Sequence, residues 1–100
     1  MKFYQGTRTP QGCVVTVTDG TTSYPLPVRL DLHNYSPTGF EWAYRGSGPS
    51  QLALALTADA LGNDEEALKF YQAVRDYVVS RLIGDKWILT DAYIKEFTCA

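Results

Sequence analysis

The chain holds one histidine, one methionine and two cysteines, and no apolar run approaches the roughly 18 residues that a bilayer-spanning helix needs. Each scarcity removes a class of chemistry. With His33 alone, a histidine-rich metal site is excluded, and a zinc centre would have to recruit both Cys13 and Cys99 from opposite ends of the sequence. A nucleophilic triad would likewise depend on His33, with Ser36, Ser47, Ser50 or a cysteine as partner, and no nucleophile-elbow spacing is present. Two cysteines without a secretory signal are read as reduced thiols; a bridge joining Cys13 to Cys99 is geometrically possible but has no motif behind it. The start, Met1-Lys2-Phe3-Tyr4-Gln5-Gly6, carries no apolar signal core, so the expected location is cytoplasmic, with no membrane association.

Positive charge is also sparse. Residues 1–50 carry four bases and three acids and residues 51–100 five bases and eight acids, for a net charge of −2. Arg8, Arg29 and Arg45 are scattered rather than clustered, which excludes generic nucleic-acid binding. What remains is ordinary globular composition, 45% hydrophobic and 20% charged, over a length that fits a single domain across residues 1–100.

The periodicities predict an α+β fold, a small sheet of two to four strands in the N-terminal half packed against two helices of the C-terminal half, with a short terminal helix. Lys2–Gln5 and Cys13–Thr18 read as strands, with a turn through Gly6 to Gly12 between them, and Asp19-Gly20 marks a further turn. Pro25 and Pro27 point to an edge strand or an irregular connection. In Val28–Leu32, apolar residues alternate with Arg29 and Asp31, the period-2 pattern of a third strand whose polar face carries an Arg29–Asp31 ion pair. The segment 34–50 reads as an ordered loop, with a short strand around Phe40–Tyr44 as an alternative.

Two helices follow. Pro49–Leu61, apolar nearly all round and closed by Gly62, suits burial against the sheet. Asp64–Leu82, opened by a capping-box-like Asn63 and Glu66, turns Ala67, Phe70, Tyr71, Val74, Val78 and Leu82 to one face. Trp87-Ile88-Leu89 is extended, and Thr90 caps a short helix running through Phe97.

The strongest functional signal is Arg45-Gly46-Ser47-Gly48-Pro49-Ser50. Glycines let backbone approach a ligand, the following helix start offers unpaired N–H groups and a positive dipole end, and Arg45 adds a charge contact. The bland alternative is that Ser47 or Gly48 only caps the helix. Arg45, Gly46, Ser47, Gly48 and Ser50 are the candidate anion contacts, and Trp42 and Tyr44 the candidate stacking groups. Glu41, between Phe40 and Trp42, is either a carboxylate held by an arginine or loop amides, or a base with a raised pKa. The leading reading is a non-catalytic domain for a small anionic or nucleotide-like ligand, with no cofactor. The rival is a protein-interaction module, an inhibitor or accessory subunit using the aromatic loop on a host protein. A small hydrolase or transferase using Glu41 or His33 comes third.

The stretch Pro25–Leu56, PLPVRLDLHNYSPTGFEWAYRGSGPSQLALAL, resembles the most recognisable block of a family of small domains of unknown function from prokaryotic genomes and their viruses. The similarity extends to Gly6–Pro10, Val78-Val79 and Trp87–Thr90. In that family a histidine is usual at the position of Tyr35 and glycines at those of Ala43 and Arg45. The resemblance implies a phage or mobile-element accessory protein and brings no established activity, cofactor or substrate.

Overall fold

The computed structural model describes residues 1–98. Four antiparallel strands form one sheet in the order β3-β2-β1-β4: β1 is Lys2–Thr9, β2 Gly12–Asp19, β3 Thr22–Pro25 and β4 Lys86–Thr90. Helix α1 spans Ser47–Leu61, α2 Asp64–Tyr77 and α3 Asp91–Lys95, with a single 3-10 turn at Val79–Arg81. This is the expected α+β arrangement, with the last strand contributed by the C-terminal half. No helix among the described residues is long and apolar enough to cross a membrane. The Cys13–Cys99 pairing considered above lies outside the described residues.

Strand β1 runs through Gly6 to Thr9, twice the expected length, and the hairpin turn is confined to Pro10-Gln11. Gly6 is there because another chain segment needs the space: a Cβ at this position would lie 2.2 Å from Cε2 of Trp87, whose indole covers the strand. A glycine inside a strand marks such a close approach as readily as it marks a turn.

The third strand is Thr22–Pro25, an edge strand ended by its proline, and Val28–Leu32 is a turn. The alternation in that segment is real but is spent on a bend: Arg29 adopts φ 60° and its guanidinium pairs with Asp31 at 3.1 Å and with Asp64 at 2.9 Å. The Arg29–Asp31 pair therefore forms without the strand that was to carry it. No strand forms at Phe40–Tyr44 either.

One face of the sheet, carrying Tyr4, Val15, Val17, Trp87 and Leu89, joins Leu52, Leu54 and Leu56 of α1 and Ala67, Tyr71 and Val74 of α2 in a continuous core. Helix α1 is buried on every side, as its composition predicts. Helix α2 is amphipathic, with Asn63 Oδ1 accepting from the N–H of Glu66 as its cap. It stops at Tyr77 rather than Leu82. The Ser80 hydroxyl takes the carbonyl of Asp76 at 2.7 Å, and the carbonyl of Val79 accepts from the N–H of Ala43, so the chain is drawn towards the loop.

The irregular segment from Leu26 to Gly46 is tied down by one buried amide. Gln51, fully buried on α1, accepts at Oε1 from the N–H groups of Tyr35 (2.8 Å) and Ser36 (3.1 Å) and donates from Nε2 to Val28 O (2.7 Å). Phe40 and Trp42 enter the core at 8% and 1% exposure and anchor the rest of the loop.

Candidate functional site

The first turn of α1 begins at an N-cap, Gly46, that makes no side-chain capping bond. Neither Ser47 nor Gly48 is the cap. In an α-helix the leading N–H groups have no intrahelical partner. Here Pro49 has no N–H, and the N–H of Ser50 donates to Gly46 O at 2.9 Å. Ser47 and Gly48 are thus the two residues inside the helix whose amides present the dipole end, and Ser47 is exposed. Gly48 is buried against the loop, where a Cβ would lie 2.7 Å from Glu41 Cβ, so only glycine lets the loop cross the helix start this closely.

Around this turn the structure gathers residues that the sequence does not connect. Arg75, on α2, donates from Nη1 to Ser50 Oγ at 3.3 Å and from Nε to Asp76 Oδ1 at 2.9 Å. Arg45 approaches the same Asp76 oxygen at 3.6 Å with its side chain 66% exposed. One carboxylate therefore serves two guanidiniums, and the Arg75 hydrogen bond holds the Asp76 carboxyl below its ordinary value. The exposed Arg45 contact is worth little by itself in water, which leaves that guanidinium available. Ser50 is 5% exposed and its amide is engaged, so it offers the site its hydroxyl and its hold on Arg75, not a free N–H.

The two expected stacking groups part company. The ring of Tyr44 lies against Gly46 and is 51% exposed. Trp42 is buried, its indole N–H donating to Gly84 O at 2.9 Å, with Trp87 set edge-on at 5.3 Å and the Arg8 guanidinium 4.7 Å from its ring centre. It anchors the loop and presents no face to a ligand.

Beside Arg75 stand Tyr35 and Tyr71, their hydroxyls 2.5 Å apart, and His33 stacks on Tyr35 with ring centres 4.0 Å apart. Burial, and then the Tyr71 hydrogen bond, push the Tyr35 hydroxyl up to about 12. His33 is thus drawn into an aromatic stack. Sequence reasoning missed Arg75, Asp76 and the tyrosine pair. The one signal for them was the Arg-Asp dipeptide on the polar side of a predicted helix, which is indistinguishable there from a solvated surface pair.

Glu41 faces the other side of the helix start. Its carboxylate accepts from Arg8 Nη2 at 2.7 Å and from the N–H of Trp42 at 3.3 Å, and Arg8 also pairs with Asp85 at 2.9 Å. The Arg8 hydrogen bond holds the Glu41 carboxyl below its usual value, the opposite of what a general base requires. Burial pushes the nearby Cys13 thiol up, which lowers its reactivity. Among the described residues no group of three or more metal-ligating side chains is assembled.

No curated protein and no solved structure matches this chain. A family model does match, over residues 4–99, taking in the loop, the helix start and the α2 residues that face it; the chain belongs to the family of unknown function DUF6166.

Proposed function

We propose that this is a non-catalytic binding domain that holds a small anionic, nucleotide-like ligand at the start of α1, acting in the cytoplasm as an accessory protein of phage or another prokaryotic mobile element. The observation that carries the reading is the sharing of Asp76 by Arg45 and Arg75 beside an uncapped helix start. A phosphate or carboxylate arriving there meets the Ser47 and Gly48 amides, a dipole end that favours negative charge by about 0.3–1 kcal/mol, and a guanidinium with no full counter-charge. Tyr44, packed on Gly46 and half exposed, lies at the rim as the candidate stacking group for a base. The rival, an inhibitor or accessory subunit working through its aromatic loop, loses support because Phe40 and Trp42 are spent on the core.

Titration of the labelled protein with phosphate, AMP and ATP tests the proposal. The amides of Ser47 and Gly48 should shift first. Arg45→Ala should weaken binding by about 1.5–3 kcal/mol, roughly ten- to hundredfold, an effect that shrinks with salt. Asp76→Asn, which removes the internal competitor, should tighten it. Amides that stay still at millimolar ligand would move the weight to the interaction module.

A further inference from the structure

The sheet has a second face, and among the described residues no element covers it. In the strand registers, Gln5 lies between Thr16 and Ile88, Phe3 between Thr18 and Thr90, and Thr7 between Val14 and Lys86. These side chains project away from the core. Phe3, Val14 and Ile88 stand 46%, 51% and 62% exposed, and Lys86, at a corner, is the one charged side chain that these registers place on the face. The opposite side of the molecule is different in kind: the exposed side of α2 carries Asp64, Glu65, Glu66 and Lys69.

Beside Ile88 lies a depression of about 260 Å³, lined by Gln5, Thr7, Lys86 and Ile88 and floored by Gly6 and Trp87. A projecting apolar side chain next to a hollow is self-complementary under a two-fold axis, because each copy supplies the knob for the other's hole.

From the face's lack of carboxylates and its single corner lysine, the adjacent knob and hollow, and the area involved, we infer that this face is a self-association surface whose occupant is a second copy of the chain, stacked sheet to sheet. Strands rising about 3.3 Å per residue and set about 4.8 Å apart project roughly 400 Å² of face per copy. Two copies then cover roughly 800 Å² before their rims are counted, close to the roughly 1,000 Å² at which specific contacts begin. The pair is therefore weak and concentration-dependent. Two such faces meet without burying an unpaired carboxylate, whereas two α2 faces would set acid against acid.

Sedimentation velocity from about 10 μM to about 1 mM, a range that brackets micromolar-to-millimolar affinities, tests the inference. The wild type should move from monomer to dimer across it. Ile88→Glu and Val14→Lys should each hold it monomeric at the top of the range, with unchanged circular dichroism because both positions are exposed. Val14 lies on β2, an interior strand, so pairing through the free edge of β4 would ignore Val14→Lys; a dimer that survives Val14→Lys overturns the inference, as does a wild-type monomer at about 1 mM. Should Ile88→Glu fail to fold, Val14→Lys and Thr16→Lys decide the matter alone.

Discussion

The two ends of helix α1 are built on opposite terms. At its C-terminal end every polar group of note is answered. Asp59 accepts at Oδ1 from the Tyr4 hydroxyl at 2.7 Å and from Lys2 Nζ at 3.2 Å, and at Oδ2 from the Tyr24 hydroxyl at 2.8 Å, while the N–H of Gly62 returns to Ala58 O at 2.9 Å. Tyr4 is fully buried, and burial together with Asp59 raises its pKa far out of the physiological range, so it is a permanent donor. At the N-terminal end no side chain caps the helix, one carboxylate is divided between two arginines, and Ala43, four residues upstream of Ser47, is held at φ 78°. Polar groups with complete partners fix a structure. Groups left short of partners at a surface are where a ligand gains most.

The comparison breaks most visibly at Asp59. Asp59→Ala leaves the buried Tyr4 hydroxyl without an acceptor and detaches β1 and β3 from α1, and it should cost about 3 kcal/mol in chemical denaturation. A loss under about 1 kcal/mol would mean that the C-terminal end is no better tied than the other.

The opposite sign is expected next to the N-terminal end. Ala43 occupies the left-handed region, which disfavours residues with a Cβ. Ala43→Gly should therefore stabilise the fold by about 0.5–1 kcal/mol, even after the extra freedom that glycine brings to the unfolded chain. Destabilisation would show that the backbone there is not strained.

The last effect is a matter of pH. Because the Tyr35 hydroxyl is pushed up to about 12, the folded state holds that proton more tightly than the unfolded one. Its contribution is complete below the ordinary tyrosine value of about 10 and disappears as pH rises through the folded one. Ultraviolet titration should show one late tyrosine step near that value that vanishes in Tyr35→Phe. If no such late step appears, the Tyr35–Tyr71 pair does not persist in solution.

Much of this architecture is local, and local chemistry is what a sequence displays. Asn63 and Glu66 announced the start of α2, Gly62 the end of α1, and Cys13–Thr18 a strand, because caps and β-branched runs act over a few residues. The helix start at Gly46–Ser50 was legible for the same reason. Distant partners are not displayed. Gly6 looked like a turn because the indole that needs its missing side chain belongs to Trp87. Val28–Leu32 kept a strand's alternation but was bent by an ion pair to Asp64, and Trp42 was offered to a ligand until the core took it.

By itself, then, the sequence determined the fold class, the two long helices with the end of α1 and the start of α2, and the place where helix dipole and glycines meet, since all of these follow from short-range sterics and hydrogen bonding. Only the tertiary structure decided which polar groups were satisfied. It gave Asp59 three donors, gave Glu41 to Arg8, set Arg45 and Arg75 on a single Asp76, and left one sheet face uncovered among the described residues. The physical reason is that a polar side chain's partner is chosen by what folding brings within about 3 Å of it, and, the neighbouring Arg75–Asp76 pair apart, those partners lie dozens of residues away along the chain.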